Sequence, residues 1–221
     1  MNKVNAVIFD MDGLMLDTES ITFICYKEAF REYGYDMDKE FYKTLIGRNI
    51  KGTKECVLES YGSDFDFDSI YEEIDKKNDE YIKRNGVEIK KGLIELLKYL
   101  KDNNYKIAVA TSTIREQAKE LLESVGVINY FDGMVCGDDV INSKPDPEIF
   151  IKAASEINVH PKECMVLEDS GAGIEAAYLA GMVPINIPDM KEPDEDMKKK
   201  SYKILNNLLD VIELLEKENK K

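Results

Sequence analysis

The sequence predicts an α/β protein: a doubly wound parallel sheet into which a helical unit is inserted. Three observations predict it. Short apolar runs such as Asn5 to Phe9, Ile107 to Ala110 and Cys164 to Leu167 end abruptly in polar residues, as strands covered on both faces of a parallel sheet do. From Lys91 onward such runs alternate with helical patterns, which argues for parallel strands joined by right-handed crossovers. From Asp17 to about Arg84, helical spacing recurs with no convincing strand. The expected division is a sheet domain over 1–16 and 88–221 and a helical domain over 17–87.

Taken in order, Asn5 to Phe9 is too short for a helix and rich in the residues that suit a pleated surface. Asp10-Met11-Asp12-Gly13 follows, then Leu14-Met15-Leu16. Asp17 or Thr18 is placed to cap a helix in which Ile21, Ile24, Cys25, Phe30 and Tyr33 recur at near-helical spacing until Gly34. Phe41 to Ile46, Thr53 to Tyr61 and Ser69 to Arg84 are further helices, separated by Gly47-Arg48-Asn49 and Gly62-Ser63-Asp64. Lys91-Gly92 opens a helix through Leu100. Ile107 to Ala110 is a strand ending at Thr111-Ser112-Thr113, and Thr113 with Glu116 resembles a capping box for the next helix, to Ser124. Met134 to Cys136 is a shorter strand. Asp146 is placed to cap a helix with Pro147 at its first position. Cys164 to Leu167 is a strand ending in Glu168-Asp169-Ser170-Gly171, and a helix runs from there to Ala180-Gly181. Val183 to Ile187 is expected to be the last strand, with a C-terminal helix around Leu208 to Leu215. Lys191 to Lys200 reads as a solvated charged stretch.

The 30 Lys and Arg against 44 Asp and Glu give the 221-residue chain a net charge of -14, a poor platform for a nucleic-acid backbone or an anionic membrane. No segment approaches the ~18 consecutive apolar residues of a membrane span, and no basic, apolar leader precedes the first strand. Four scattered cysteines without a C-x-x-C pair, and a single histidine, His160, suggest neither a zinc site nor a redox pair. A cytoplasmic monomer is the expectation.

A bare D-x-D-G is an ordinary turn. Here it stands at the carboxyl end of an apolar strand, where open α/β sheets form their ligand crevices. In an extended backbone Asp10 and Asp12 point to roughly the same side. Thr111, Lys144 and Asp169 also lie at or after strand ends, so a parallel sheet brings them to one edge. Each has a dull alternative, as helix cap, solvated loop or turn; together they argue for one site.

The ordered set Asp10-Met11-Asp12-Gly13, Thr111-Ser112, Lys144-Pro145 and Glu168-Asp169-Ser170 resembles the four motifs of the haloacid-dehalogenase-like hydrolase superfamily. The fuller runs Phe9 to Leu14, Lys144-Pro145-Asp146-Pro147 and Leu167 to Ser170 resemble its β-phosphoglucomutase-like phosphatase branch. The resemblance implies a Rossmannoid core with an inserted cap, and phosphoryl transfer through an aspartyl phosphate on Asp10. It implies Mg²⁺ held by the Asp10 carboxylate, the Asp12 backbone carbonyl and the Asp169 carboxylate, with Glu168 in the outer shell. Lys144 would neutralise charge, Thr111 would bind a phosphoryl oxygen with Gly13 and Ser112 beside it, and Asp12 would act as acid and then base. The substrate would be a small phosphorylated metabolite, a sugar phosphate above all. Leu14 to Asp17 and Gly86 to Gly92 would be hinges for cap closure.

The second aspartate excludes the dehalogenases themselves, since halide leaves without a proton. Phosphonoacetaldehyde hydrolases rely on a cap lysine, and Lys51 has no flanking pattern that matches. Mutases of the branch carry a cap-loop arginine, a lysine-asparagine pair after the second motif and a histidine early in the first cap helix. Ile50, Ile114-Arg115 and Thr22 stand at those places, which disfavours a mutase. Arg48 and Arg115 remain candidates for a second phosphate grip, with Gly47-Arg48-Asn49 as the substrate-facing loop. A non-catalytic phosphometabolite-binding protein is the reading from another class.

Overall fold

A computed structural model describes residues 3–48 and 50–218. The chain divides into two compact units, Met1–Asp17 with Glu88–Lys221, and Thr18–Val87.

Among the described residues the first unit is built on six parallel strands: β1 (Ala6–Phe9), β2 (Lys106–Ala110), β3 (Gly133–Val135), β4 (Cys164–Glu168), β5 (Val183–Asn186) and β6 (Lys203–Ile204), in the order β3-β2-β1-β4-β5-β6. This is the doubly wound α/β fold the sequence predicts. β1 is central, with Phe9 aligned with Val109 on one side and Leu167 on the other. That position explains why all four of its residues are apolar and fully buried. Alternation then divides the strand: Ala6 and Ile8 join Ala108, Ala110 and Val166 in a core closed by Phe150 and Ala153 of one helix and Ala176 and Ala177 of another. Each such buried Ile, Val or Phe contributes about 1.5–3 kcal/mol.

The helices of this unit are five of the crossovers and one terminal element: α5 (Leu93–Asp102), α6 (Arg115–Ser124), α7 (Glu148–Glu156), α8 (Gly171–Leu179), α9 (Glu195–Lys200) and α10 (Leu209–Glu218). α7 packs on β1, β2 and β3, while α8 packs on β4 and β5. The expectation that Val183 to Ile187 is the last strand is corrected: β6 follows, pairing Lys203 with Ile185 and Ile204 with Asn186. It is a two-residue, exposed edge strand, too short to leave an apolar run. In the charged stretch, α9 is capped by Asp194 and buries only Met197. α7 starts at Glu148 rather than Pro147; Pro147 holds the cap position, and Asp146 Oδ1 accepts from the Glu148 N–H at 2.9 Å.

The second unit is helical: α1 (Thr18–Glu32), α2 (Lys39–Leu45), α3 (Ile50–Tyr61) and α4 (Phe67–Asn85). α1 packs along α4. Asp38 and Asp66 cap α2 and α4, and rings of Phe30, Tyr35, Tyr61 and Phe65 meet at centroid distances of 4.7–5.8 Å.

Before and after the insertion, the chain pairs with itself inside the first unit. Asp17 N–H donates to the Glu88 carbonyl (2.9 Å) and Lys90 N–H to the Met15 carbonyl (2.8 Å), with Leu16 opposite Ile89. Lys90 Nζ then bridges Asp17 (2.8 Å) and Asp189 (2.5 Å).

Candidate active site

β1 continues one residue past its end, because the Asp10 N–H donates to the Leu167 carbonyl at 3.0 Å. The chain then folds sharply. Met15 and Leu16 N–H groups both donate to the Met11 carbonyl, and Gly13 N–H donates to the Leu16 carbonyl. Met11, Leu14, Met15 and Leu16 are buried beneath this turn and anchor it. Gly13 is required twice over: its φ is +78°, and a Cβ there would stand 2.6 Å from Asp169 Oδ2. The turn and the acid of the neighbouring strand end are therefore built around a missing side chain.

Lys144 reaches the same place from the loop after β3. Its Nζ donates to Asp10 Oδ1 (2.5 Å), Glu168 Oε1 (2.6 Å) and the Ala110 carbonyl (3.1 Å), which uses all three ammonium protons. It also lies 4.9 Å from the Phe150 ring centroid. Burial pulls the ammonium's pKa down, but the charges of Asp10 and Glu168 outweigh it and the net shift is upward. Asp10 is driven the other way from an ordinary carboxylate: burial above all, with Glu168 and Asp12 adding to it, raises it to about 8 against the opposing pull of Lys144.

Glu168 is fully buried. Its second oxygen accepts from Ser170 N–H and Oγ–H, both at 2.9 Å, while Ser170 Oγ caps α8 by accepting from Gly173 N–H. The carboxylate occupies the space a Cβ of Gly173 would fill. Asn186 on β5 holds the turn from beneath, its Nδ2 donating to the carbonyls of Glu168 and Asp169. Carboxylate oxygens of Asp10, Glu168 and Asp169 lie within 4.8 Å of one another. Three oxygen donors at that spacing, with no sulfur or imidazole among them, suit a hard divalent cation such as Mg²⁺.

Asp12 faces the end of β2. Its Oδ2 accepts from Thr113 Oγ1 at 2.7 Å and from Thr111 Oγ1 at 3.4 Å. This corrects the capping-box expectation for Thr113 and Glu116. The residue at the cap of α6 is Ile114, without a side-chain cap. Thr113 is a site residue that sequence reasoning missed, because S/T-x-x-E carries a local explanation complete in itself. Ser112 is exposed, and its carbonyl packs against Gly137, where a Cβ would collide with it.

The structure therefore brings Asp10, Asp12, Gly13, Thr111, Lys144, Glu168 and Asp169 together from four segments of the first unit. Arg115 is engaged elsewhere: its guanidinium binds Asp139 Oδ2 (2.5 Å) and Oδ1 (3.4 Å) and the Met134 carbonyl (2.7 Å). Asp139 is a second partner the sequence did not reveal. Arg48, in the helical unit, is exposed and donates through Nε to the Thr44 carbonyl at 2.7 Å. Asn49, part of the proposed substrate-facing loop, lies outside the described residues.

A strand-end aspartate beside a buried lysine and two further acids defines a class, and comparison with known proteins agrees: residues 7–187 match the haloacid dehalogenase-like hydrolase family, and the chain belongs to it. Within that family it is 36% identical over 183 residues, 81% of this chain and 82% of the relative, to a phosphorylated carbohydrates phosphatase of Thermotoga maritima. It is 30% identical to a β-phosphoglucomutase of Bacillus subtilis, covering 83% of both chains. Among solved structures, a β-phosphoglucomutase from Clostridium difficile superposes with a TM-score of 0.73 at 26% identity, covering 98% of each chain. The chain is thus a hydrolase-family enzyme of β-phosphoglucomutase-like fold. No helix among the described residues is long and apolar enough to cross a membrane.

Proposed function

We propose that the protein is a phosphomonoester hydrolase acting on a small phosphorylated metabolite, a sugar phosphate above all, through an aspartyl phosphate on Asp10. The observation that carries the reading is Lys144 buried between Asp10 and Glu168, with Asp169 alongside. Such a cluster is costly to bury and suits a site where negative charge must be met in place. The unit containing the sheet carries the chemistry, and Thr18–Val87 acts as the selective cap.

In the first step a carboxylate oxygen of Asp10 attacks phosphorus as the ester P–O bond breaks, and Asp12 gives its proton to the departing oxygen. Lys144 stays charged throughout and holds Asp10 at 2.5 Å, while Thr111 presents its hydroxyl to a phosphoryl oxygen. In the second step Asp12 takes a proton from water, which attacks the aspartyl phosphate and regenerates Asp10. Mg²⁺, held by the Asp10 and Asp169 carboxylates and the Asp12 carbonyl with Glu168 behind them, would screen the repulsion between these acids and the substrate dianion. The charge of -14 speaks against nucleic-acid or anionic-membrane partners, and a cytoplasmic monomer fits the reading.

A mutase reading is favoured by the β-phosphoglucomutase relatives. Against it, Ile50 stands where those enzymes grip a second phosphate, and Arg115 is already held by Asp139 and Met134. The test is phosphate release from a panel of sugar and nucleotide monophosphates, with Mg²⁺ and with chelator, following β-glucose 1-phosphate by NMR. Metal-dependent release of inorganic phosphate supports the hydrolase. Conversion to glucose 6-phosphate with little release replaces it with the mutase, and no turnover on either assay removes catalysis.

A further inference from the structure

We propose that Thr113 is a positioning residue for Asp12, fixing which carboxylate oxygen exchanges the proton. The inference rests on the hydrolase reading above, in which Asp12 is the acid and base. Thr113 Oγ1 donates to Asp12 Oδ2 at 2.7 Å, a charge-assisted hydrogen bond, whereas the Thr111 contact to the same oxygen is long at 3.4 Å. Asp12 Oδ1 accepts no hydrogen bond from the described residues. Both donors thus engage one oxygen and leave the other to carry the proton to the ester oxygen as the P–O bond breaks.

The hydroxyl is not offered by a loose surface loop. Thr113 N–H donates to Thr111 Oγ1 at 3.1 Å, and the Thr113 carbonyl accepts from Gly137 N–H at 3.0 Å. Two residues on, Arg115 N–H donates to Asp138 Oδ1 at 2.9 Å and its guanidinium grips Asp139 and the Met134 carbonyl. Asp139 is itself fixed, accepting from Cys136 N–H at 2.7 Å. Gly137 lets the two segments touch, since a Cβ there would collide with the Ser112 carbonyl. Arg115, at a position the mutases use for phosphate, here latches the loop that carries Thr113. A hydroxyl held in this way can keep a carboxylate aimed, and an ångström of misplacement in such a group costs about 100-fold in rate.

Thr113→Val keeps the shape and removes the hydroxyl. Its kcat/KM, which reports steps through departure of the leaving group, is measured with two esters: the fastest sugar monophosphate of the panel and p-nitrophenyl phosphate, whose phenolate departs without a proton. The expected result is a loss of roughly 30-fold for the sugar ester and under about 3-fold for the aryl ester, part of the 10²–10⁴ a general acid supplies, with Thr113→Ser restoring most of it. Equal losses on both esters, a rise in KM with kcat unchanged, or no rescue by serine overturns the proposal. Asp12→Asn separates the two readings. If its loss is no larger on the sugar ester than on the aryl ester, the acid role of Asp12 fails; if its loss is larger on the sugar ester and that of Thr113→Val is not, only the role of Thr113 fails.

Discussion

Without a divalent cation, Asp10→Asn is expected to stabilise the protein at neutral pH while ending its turnover. Asp10 rises from 3.8 to about 8 on folding, through burial first and the charges of Glu168 and Asp12 second, with Lys144 pulling against them. A carboxyl raised in this way keeps its proton in the fold at a pH where the unfolded chain has released it. Its contribution is complete below pH 3.8 and is lost as the pH climbs toward 8. At pH 7 just over three units of that window have been crossed, at about 1.4 kcal/mol each, which sets a ceiling of ~4 kcal/mol. Relaxation of the coupled cluster and water entry reduce this to ~2 kcal/mol, or a rise of roughly 4–8 °C in Tm for a chain of this size. Asparagine carries no charge to bury and keeps an oxygen for Lys144.

Calorimetry of both proteins in chelator from pH 5 to pH 8 reads the effect. The gap in Tm should favour Asp10→Asn and widen as the pH rises. Added Mg²⁺ should raise the Tm of the natural protein by preferential binding to the native state, and raise that of the variant much less. If the variant melts lower than the natural protein at pH 7 in chelator, or the gap is flat across the range, Asp10 is not the strained carboxylate argued here.

Gly13→Ala places a Cβ 2.6 Å from Asp169 Oδ2 at a φ of +78°, and should cost about 1–2 kcal/mol in urea unfolding while raising the Mg²⁺ concentration needed for half-maximal activity several-fold; an unchanged metal requirement would separate Gly13 from the acid cluster. Glu148 accepts from Lys152 and from the Ile141 and Asn142 N–H groups, which together lower its carboxyl from 4.5 to about 2. That contribution is present above pH 4.5 and fades as the pH falls toward 2. Glu148→Gln should therefore melt below the natural protein at pH 6, with the gap narrowing as the pH falls through 4.5 toward 2, and a deficit undiminished at pH 3 would place its cause outside the ionised carboxylate.

β1 and the motifs that follow β1, β2 and β4 were legible because strand burial leaves its mark on consecutive residues: an apolar run, then an acid or a threonine. β6 left none, since two exposed residues carry no pattern that distinguishes an edge strand from a loop. The N-terminus of α6 shows a deeper limit. Thr113 and Glu116 have the spacing of a cap, and a cap there would have satisfied the local chemistry. Asp138 supplies that acceptor instead, taking the Arg115 N–H at 2.9 Å and placing a carboxylate by the positive end of the helix. Thr113 is thereby released to donate to Asp12, 101 residues away in the chain. Two carboxylates have divided two donors between them, one ending the helix and one entering the site. Only the close approach of β2 and β3, with Gly137 beneath Ser112, decides which donor goes to which, so a local motif can be intact in sequence and serve a distant acid.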